Sequence, residues 1–167
     1  MPPVASAIRA AGGDSHTWRR EEGGPVDDET ALSGDMLESL LARAVQAMDL
    51  AYAPYSGYPV GAAILLASGE TVVGANIENA SYPVSLCAER SAVAHALALG
   101  ERRLLAVAVA SRGEPPAPPC GACRQVLMEF NPDMTVVVGG PTGPWRRFLL
   151  RDLLPESFGP GHLGHGV

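Results

Sequence analysis

The sequence predicts an α/β fold in which a mixed sheet of about five strands carries helices on both faces. Helical and extended patterns alternate along the chain in the order helix, hairpin, helix, strand, helix, strand, strand. The run Leu104 to Ala110 is apolar without interruption, as a central strand covered on both faces requires. The Ala-rich stretch CAERSAVAHALALG closes on Gly100, the pattern of a packed helix ended by glycine.

Residues 1–30 mix Gly, Pro, Ser and acidic residues with scattered apolar side chains, too few to offset the entropy of ordering, so a flexible tail is expected there and a single folded domain over 31–167. Ser33 or Asp35 caps a first helix, because Met36, Leu37, Leu40, Leu41, Ala44, Val45 and Met48 recur at helical spacing, and the helix ends before Pro54. After the turn-rich AYAPYSGYPVG, Val60 to Ala67 reads as a buried strand turned back at Ser68-Gly69 into Thr71 to Asn76. The Pro-rich EPPAPP excludes helix and inner strand and leads into a helix from Gly121 to Phe130. Thr135 to Val138 is a fourth strand and Trp145 to Leu150 a weaker fifth, with a short helical turn and an irregular tail to follow.

Composition narrows the chemistry. The chain has 167 residues, 47% hydrophobic and 18% charged, and no apolar run of the roughly 18 residues that a membrane span needs. No basic start leads into an apolar signal core, so a cytoplasmic protein is expected. The net charge of −6, with no basic stripe, disfavours nucleic acid as a partner. All twelve basic residues are Arg, which excludes lysine Schiff-base chemistry and a P-loop. Three cysteines in a reducing compartment point away from a disulfide framework and toward thiol chemistry or metal ligation.

Their positions decide for a metal. Cys87 opens C-A-E-R and Cys120 and Cys123 form P-C-G-A-C, so all three stand at expected helix starts, where unpaired N–H groups and the helix dipole favour thiolates. A C-x-x-C pair closes on one ion and Cys87 supplies a third ligand. His95 lies two turns beyond Cys87, about 12 Å along a helix, too far to be a fourth; it is read as packing or a surface contact, and His16, His162 and His165 fall in tails. Three ligands and an open position are what a catalytic zinc uses, since water there falls in pKa toward about 7. Glu89, two residues past a ligand, is placed to act as general acid and base, although a solvated Glu in a first helical turn is a common arrangement. Arg90 is expected to offset thiolate charge by bonding a ligand sulfur; Arg124 either does the same or faces solvent.

At these residues the sequence resembles the cytidine deaminase family, in its small, homotetrameric, three-cysteine zinc form. The motifs AYAPYSGYPVGAA, GANIENASY, CAERSAV, PCGACRQVLMEF and LLPESFGP occur in the family's order and span most of residues 36–160. The resemblance implies a three-layer α-β-α fold and zinc-dependent hydrolytic deamination of cytidine and deoxycytidine to uridine and deoxyuridine with release of ammonia, in pyrimidine salvage. It places Asn76 and Glu78 on the ribose hydroxyls, the Ala88 N–H on the pyrimidine carbonyl and Tyr58, where the family often has Phe, in the base pocket. Phe158 is implied to reach an adjacent subunit's site, the alternative being an anchor for its own C-terminal turn. Glu89 protonates N3 and later the departing amine. A deaminase of blasticidin S or of a broader nucleoside range, a non-catalytic zinc module and polynucleotide editing are the alternatives, the last disfavoured by charge.

Overall fold

The computed structural model describes residues 32–164. The tail expected over 1–30 lies outside the described residues, as do His16 and His165.

Within 32–164 the architecture is the expected three-layer α-β-α. Helix α1 (Gly34–Ala47) starts at Ser33, whose hydroxyl accepts from the Met36 N–H at 3.2 Å. Its apolar stripe, Leu37, Leu40, Leu41 and Ala44, is buried on one face of the sheet. A single 3-10 turn, Met48–Leu50, carries the chain off the helix before Pro54. Strands β1 (Val60–Leu66) and β2 (Thr71–Ala75) form the antiparallel hairpin, turned at Gly69, whose φ of 86° a side chain would strain.

Helix α2 (Ala88–Ala98) leads to β3 (Leu104–Ser111), and α3 (Gly121–Met128) leads to β4 (Thr135–Gly139). The expectation for α3 ran to Phe130. It stops two residues earlier, where the chain tightens into a turn in which the Phe130 N–H donates to the Leu127 carbonyl at 3.0 Å. Edge strand β5 (Arg146–Leu149) and the one-turn α4 (Leu150–Leu153) follow, then a 3-10 turn over Pro160–Leu163.

The sheet order is β2-β1-β3-β4-β5. β1 runs antiparallel to both β2 and β3, while β3 and β4 are parallel. Hence β2, β3 and β4 share one direction, and α2 and α3 are the crossovers between them. Alternation along β1 divides the core in two. Ala62, Ile64 and Leu66 face α2, α3 and α4 with Val107, Val109, Val136 and Val138; Ala63 faces α1 with Ala106, Ala108, Ala110 and Val137.

Two glycines set how closely the helices lie on the sheet. A Cβ on Gly61 would meet backbone at the end of α1, with Ala47 C at 3.0 Å and Met48 N just beyond it at 2.6 Å, and a Cβ on Gly74 would meet backbone of α2, with Ala88 O at 2.6 Å and Ala92 Cα at 2.9 Å. Neither approach leaves room for a side chain.

Candidate metal centre

Because α2 and α3 are crossovers on the same face and leave parallel strands at their C-terminal ends, their N-termini open at one edge of the sheet. Cys87 is the N-cap of α2, Cys120 is the N-cap of α3, and Cys123 lies in the first turn of α3. Their three sulfurs lie within 4.8 Å of one another, Cys87 Sγ to Cys120 Sγ being 4.0 Å. A tetrahedral zinc with bonds of about 2.3 Å spaces its sulfurs by roughly 3.8 Å, so the donor set fits Zn2+ in both chemistry and spacing. No histidine or carboxylate joins the cluster among the described residues.

The electrostatics of the three thiols differ. Burial pushes the Cys123 thiol well up, reinforced by repulsion from Glu89 and Cys87; its residue is fully buried. For Cys120 burial also pushes up, but hydrogen bonds from the Cys123 backbone, the Cys123 thiol and Cys87 outweigh it and the net shift is down. Arg90 is where the sequence placed it. One guanidinium nitrogen, Nη2, donates to Cys87 Sγ at 3.7 Å and to the Ser85 carbonyl at 3.1 Å, and contact with Cys87 chiefly holds its pKa above the usual range. Its Nε is buried without a protein partner.

Arg124 departs from the sulfur-bonding alternative. It follows Cys123 by one residue, which on a helix turns its side chain about 100° away from the thiol. The guanidinium donates instead to two backbone carbonyls, Pro119 O from Nε and Leu153 O from Nη1, both at 2.7 Å. The neighbouring Gln125 donates from Nε2 to the Phe158 carbonyl at 2.7 Å. α3 therefore holds the C-terminal segment through two consecutive side chains.

Glu89 is 4% exposed, in the first turn of α2 beside the sulfurs. Burial raises its carboxyl pKa, opposed by hydrogen bonding to its own backbone N–H and to Cys123 and by the charge of Arg90. A buried carboxylate with a raised pKa at a metal cluster is a candidate proton carrier.

A cavity of about 290 Å³ opens on this group. Cys87, Ala88, Glu89 and Cys120 form its floor, Asn76, Glu78 and Ser85 supply polar wall, and Val60, Val109 and Pro118 supply apolar wall. The cavity thus gathers three of the five residues expected on substrate. Asn76 also rivets the strand ends, Oδ1 accepting from Val60 N–H at 2.8 Å and Nδ2 donating to Tyr58 O at 3.0 Å. Tyr58 and Phe158 do not line it. The Tyr58 hydroxyl packs against Gly113, where an added Cβ would lie 2.5 Å from it, and Phe158 is 57% exposed, stacked on His162 at 5.3 Å. His95 makes the surface contact expected of it, with Nδ1 3.1 Å from Val73 O.

Sequence reasoning missed a group around Glu78. The Tyr55 and Ser56 N–H groups donate to its Oε2 at 2.8 and 3.1 Å, and the Ser56 hydroxyl donates to Oε1. The Ser56 hydroxyl above all holds this carboxyl below the usual carboxylate range; burial opposes it, and the Tyr55 and Ser56 N–H groups add to the lowering. The signal available was only a turn-rich loop, and nothing in its spacing indicated a partner so far along the chain. A second cavity, about 310 Å³ beside Arg103, Leu105, Met128 and Pro160, contains none of the three thiols.

The chain has relatives among known proteins. A family model described as the cytidine and deoxycytidylate deaminase zinc-binding region matches residues 35–139. The chain is similar to the cytidine deaminase of Halalkalibacterium halodurans, 45% identical over 122 residues that cover 72% of this chain and 92% of that protein. It is likewise similar to the cytidine deaminase of Mycobacterium tuberculosis, 43% identical over 120 residues, 72% of this chain and 87% of that protein. Among solved structures, the cytidine deaminase from Burkholderia pseudomallei superposes with a TM-score of 0.70 at 44% identity, covering 72% of this chain and 98% of its own. The one from Mycobacterium tuberculosis gives 0.65 at 41%, covering 73% and 96%.

Proposed function

This chain belongs to the cytidine and deoxycytidylate deaminase family, and we propose that it hydrolyses the C4 amino group of cytidine and deoxycytidine, giving uridine or deoxyuridine and ammonia. One observation carries the reading: three thiols fit a zinc ion, and two of them, Cys87 and Cys120, stand with the buried carboxylate of Glu89 on the floor of a single nucleoside-sized cavity, Cys123 lying buried beside them. When bound, zinc supplies the Lewis acidity that makes water nucleophilic near neutral pH.

This chain's residues do the rest. Cys87, Cys120 and Cys123 are the zinc ligands, and Arg90 offsets their charge through Cys87. Glu89 carries protons. It takes one from the attacking water, delivers it to N3 of the ring and then serves the departing amine, which leaves as ammonia while the oxygen stays on C4. Burial suits it to this, because a carboxyl with a raised pKa gives up a proton and regains it more evenly. The Ala88 N–H, at the N-terminus of α2, donates to the pyrimidine carbonyl, and Asn76 and Glu78 take the sugar hydroxyls. No basic side chain lines the cavity and Glu78 contributes a carboxylate, which favours a nucleoside over its 5′-phosphate.

The working assembly is a homotetramer with shared sites, to which Phe158 is contributed by a neighbouring copy. In support, the large apolar side chains of Leu50, Tyr52, Tyr82 and Val84 stand 59–70% exposed and are available to a neighbouring copy. Three free thiols suit a reducing cytoplasm and a place in pyrimidine salvage. Parallel assays of ammonia release from cytidine, deoxycytidine, adenosine and blasticidin S test the assignment. Turnover of the first two is expected, and release from blasticidin S or adenosine alone refutes it. Light scattering on the eluting protein tests the tetramer.

A further inference from the structure

We propose that Ser56 is a positioning residue for sugar recognition, its hydroxyl fixing the Glu78 carboxylate so that one oxygen is presented to the substrate. The inference rests on the reading that Glu78 takes a sugar hydroxyl. The Ser56 hydroxyl is committed at both ends: its proton goes to Glu78 Oε1, and its oxygen accepts the Tyr58 N–H at 3.0 Å. That second bond sets the direction of the first.

The count of acceptors gives the consequence. A carboxylate offers about four lone-pair sites. Tyr55 N–H and Ser56 N–H fill two on Oε2, and the Ser56 hydroxyl fills one on Oε1. One site remains, on Oε1, for a sugar hydroxyl. Without Ser56, Oε1 has two equivalent vacancies and the carboxylate can pivot about its remaining contacts at Oε2. Glu78 lines the cavity, so this loss of order falls on substrate binding, whereas the reacting carbon is handled by α2 and α3.

The test uses the zinc-loaded full chain as parent, Ser56→Ala and Ser56→Thr, with cytidine and with 2′,3′-dideoxycytidine, which lacks both sugar hydroxyls of the diol. For Ser56→Ala on cytidine, KM should rise about tenfold with kcat held within about twofold. On dideoxycytidine, parent and Ser56→Ala should agree within about twofold, and Ser56→Thr should return the cytidine KM to within about threefold of the parent. An equal loss on both substrates, or a loss carried by kcat, overturns the proposal and leaves Ser56 a structural residue. A parent with equal KM for the two nucleosides overturns the sugar role of Glu78, and the positioning role falls with it. A parent that releases no ammonia from cytidine overturns the deaminase reading itself.

Discussion

Replacing Gly74 by Ala tests whether the close seating of α2 on β2 is what places the catalytic groups. The added Cβ would meet backbone rather than a movable side chain, with Ala88 O at 2.6 Å and Ala92 Cα at 2.9 Å. An ordinary carbon contact lies at about 3.5 Å, so α2 must retreat by roughly 1 Å. Overpacking of this kind costs about 1–3 kcal/mol. For a domain of this size that lowers Tm by about 4–12 °C. The retreating helix has Cys87 as its N-cap and Glu89 in its first turn, while Cys120 and Cys123 stay on α3. A displacement of about 1 Å between reacting groups can cost roughly a hundredfold, and kcat/KM should fall toward that figure. Gly61→Ala is the contrast. It presses at least as hard on backbone of α1, a helix that carries no site residue, so Tm should fall while kcat/KM falls much less. Differential scanning calorimetry and steady-state ammonia release give both readings. A Gly74→Ala variant melting within about 2 °C of the parent, or the same kcat/KM loss in both variants, would refute the reasoning.

Glu89→Gln should keep zinc and nucleoside binding, by metal analysis and calorimetric titration, yet lose at least about a hundredfold in kcat; near-normal turnover contradicts the proton-carrier role. Cys120→Ala should lose metal and melt lower, because ligation and folding share free energy, and an unchanged Tm at full zinc content counts against it. Metal removal should open Cys87 and Cys120 to Ellman's reagent, with the buried Cys123 reacting only on unfolding, and should abolish activity, both reversed by Zn2+. The Glu78 carboxyl is held below its usual pKa, so its contribution to stability is present above the unfolded value and lost as pH falls through the folded one. The Tm gap between parent and Glu78→Gln should therefore shrink as pH drops below about 4.5, and a gap that widens there reverses the sign.

The elements were readable in the sequence because each carries its own period and punctuation. Leu37, Leu40, Leu41 and Ala44 are a helical stripe whichever sheet they cover, and Leu104 to Ala110 is too continuously apolar for an edge. Strand order was not readable. Nothing local to Val60–Leu66 says that it lies between β2 and β3, since that follows from pairings made across the whole domain. The zinc ligands were legible for a chemical reason, three thiols at two helix starts. Arg124 was misjudged because adjacency in sequence is not adjacency on a helix, and its guanidinium found the carbonyls of Pro119 and Leu153. Tyr58, which the resemblance places in the base pocket, has its hydroxyl beside Gly113, a contact between two loops that no periodicity reveals. Ser56 was passed over because its partner, Glu78, lies 22 residues further along.

The grip that Arg124 and Gln125 keep on Leu153 and Phe158 bears on how the enzyme should be handled. Cargo fused behind Phe158, whether an affinity handle, a fluorophore or a resin, pulls on the same short helix that holds two of the three sulfurs. The other end of the described chain enters through α1, behind the sheet from the cavity. Immobilisation through the leading end should preserve turnover better than immobilisation through the trailing one.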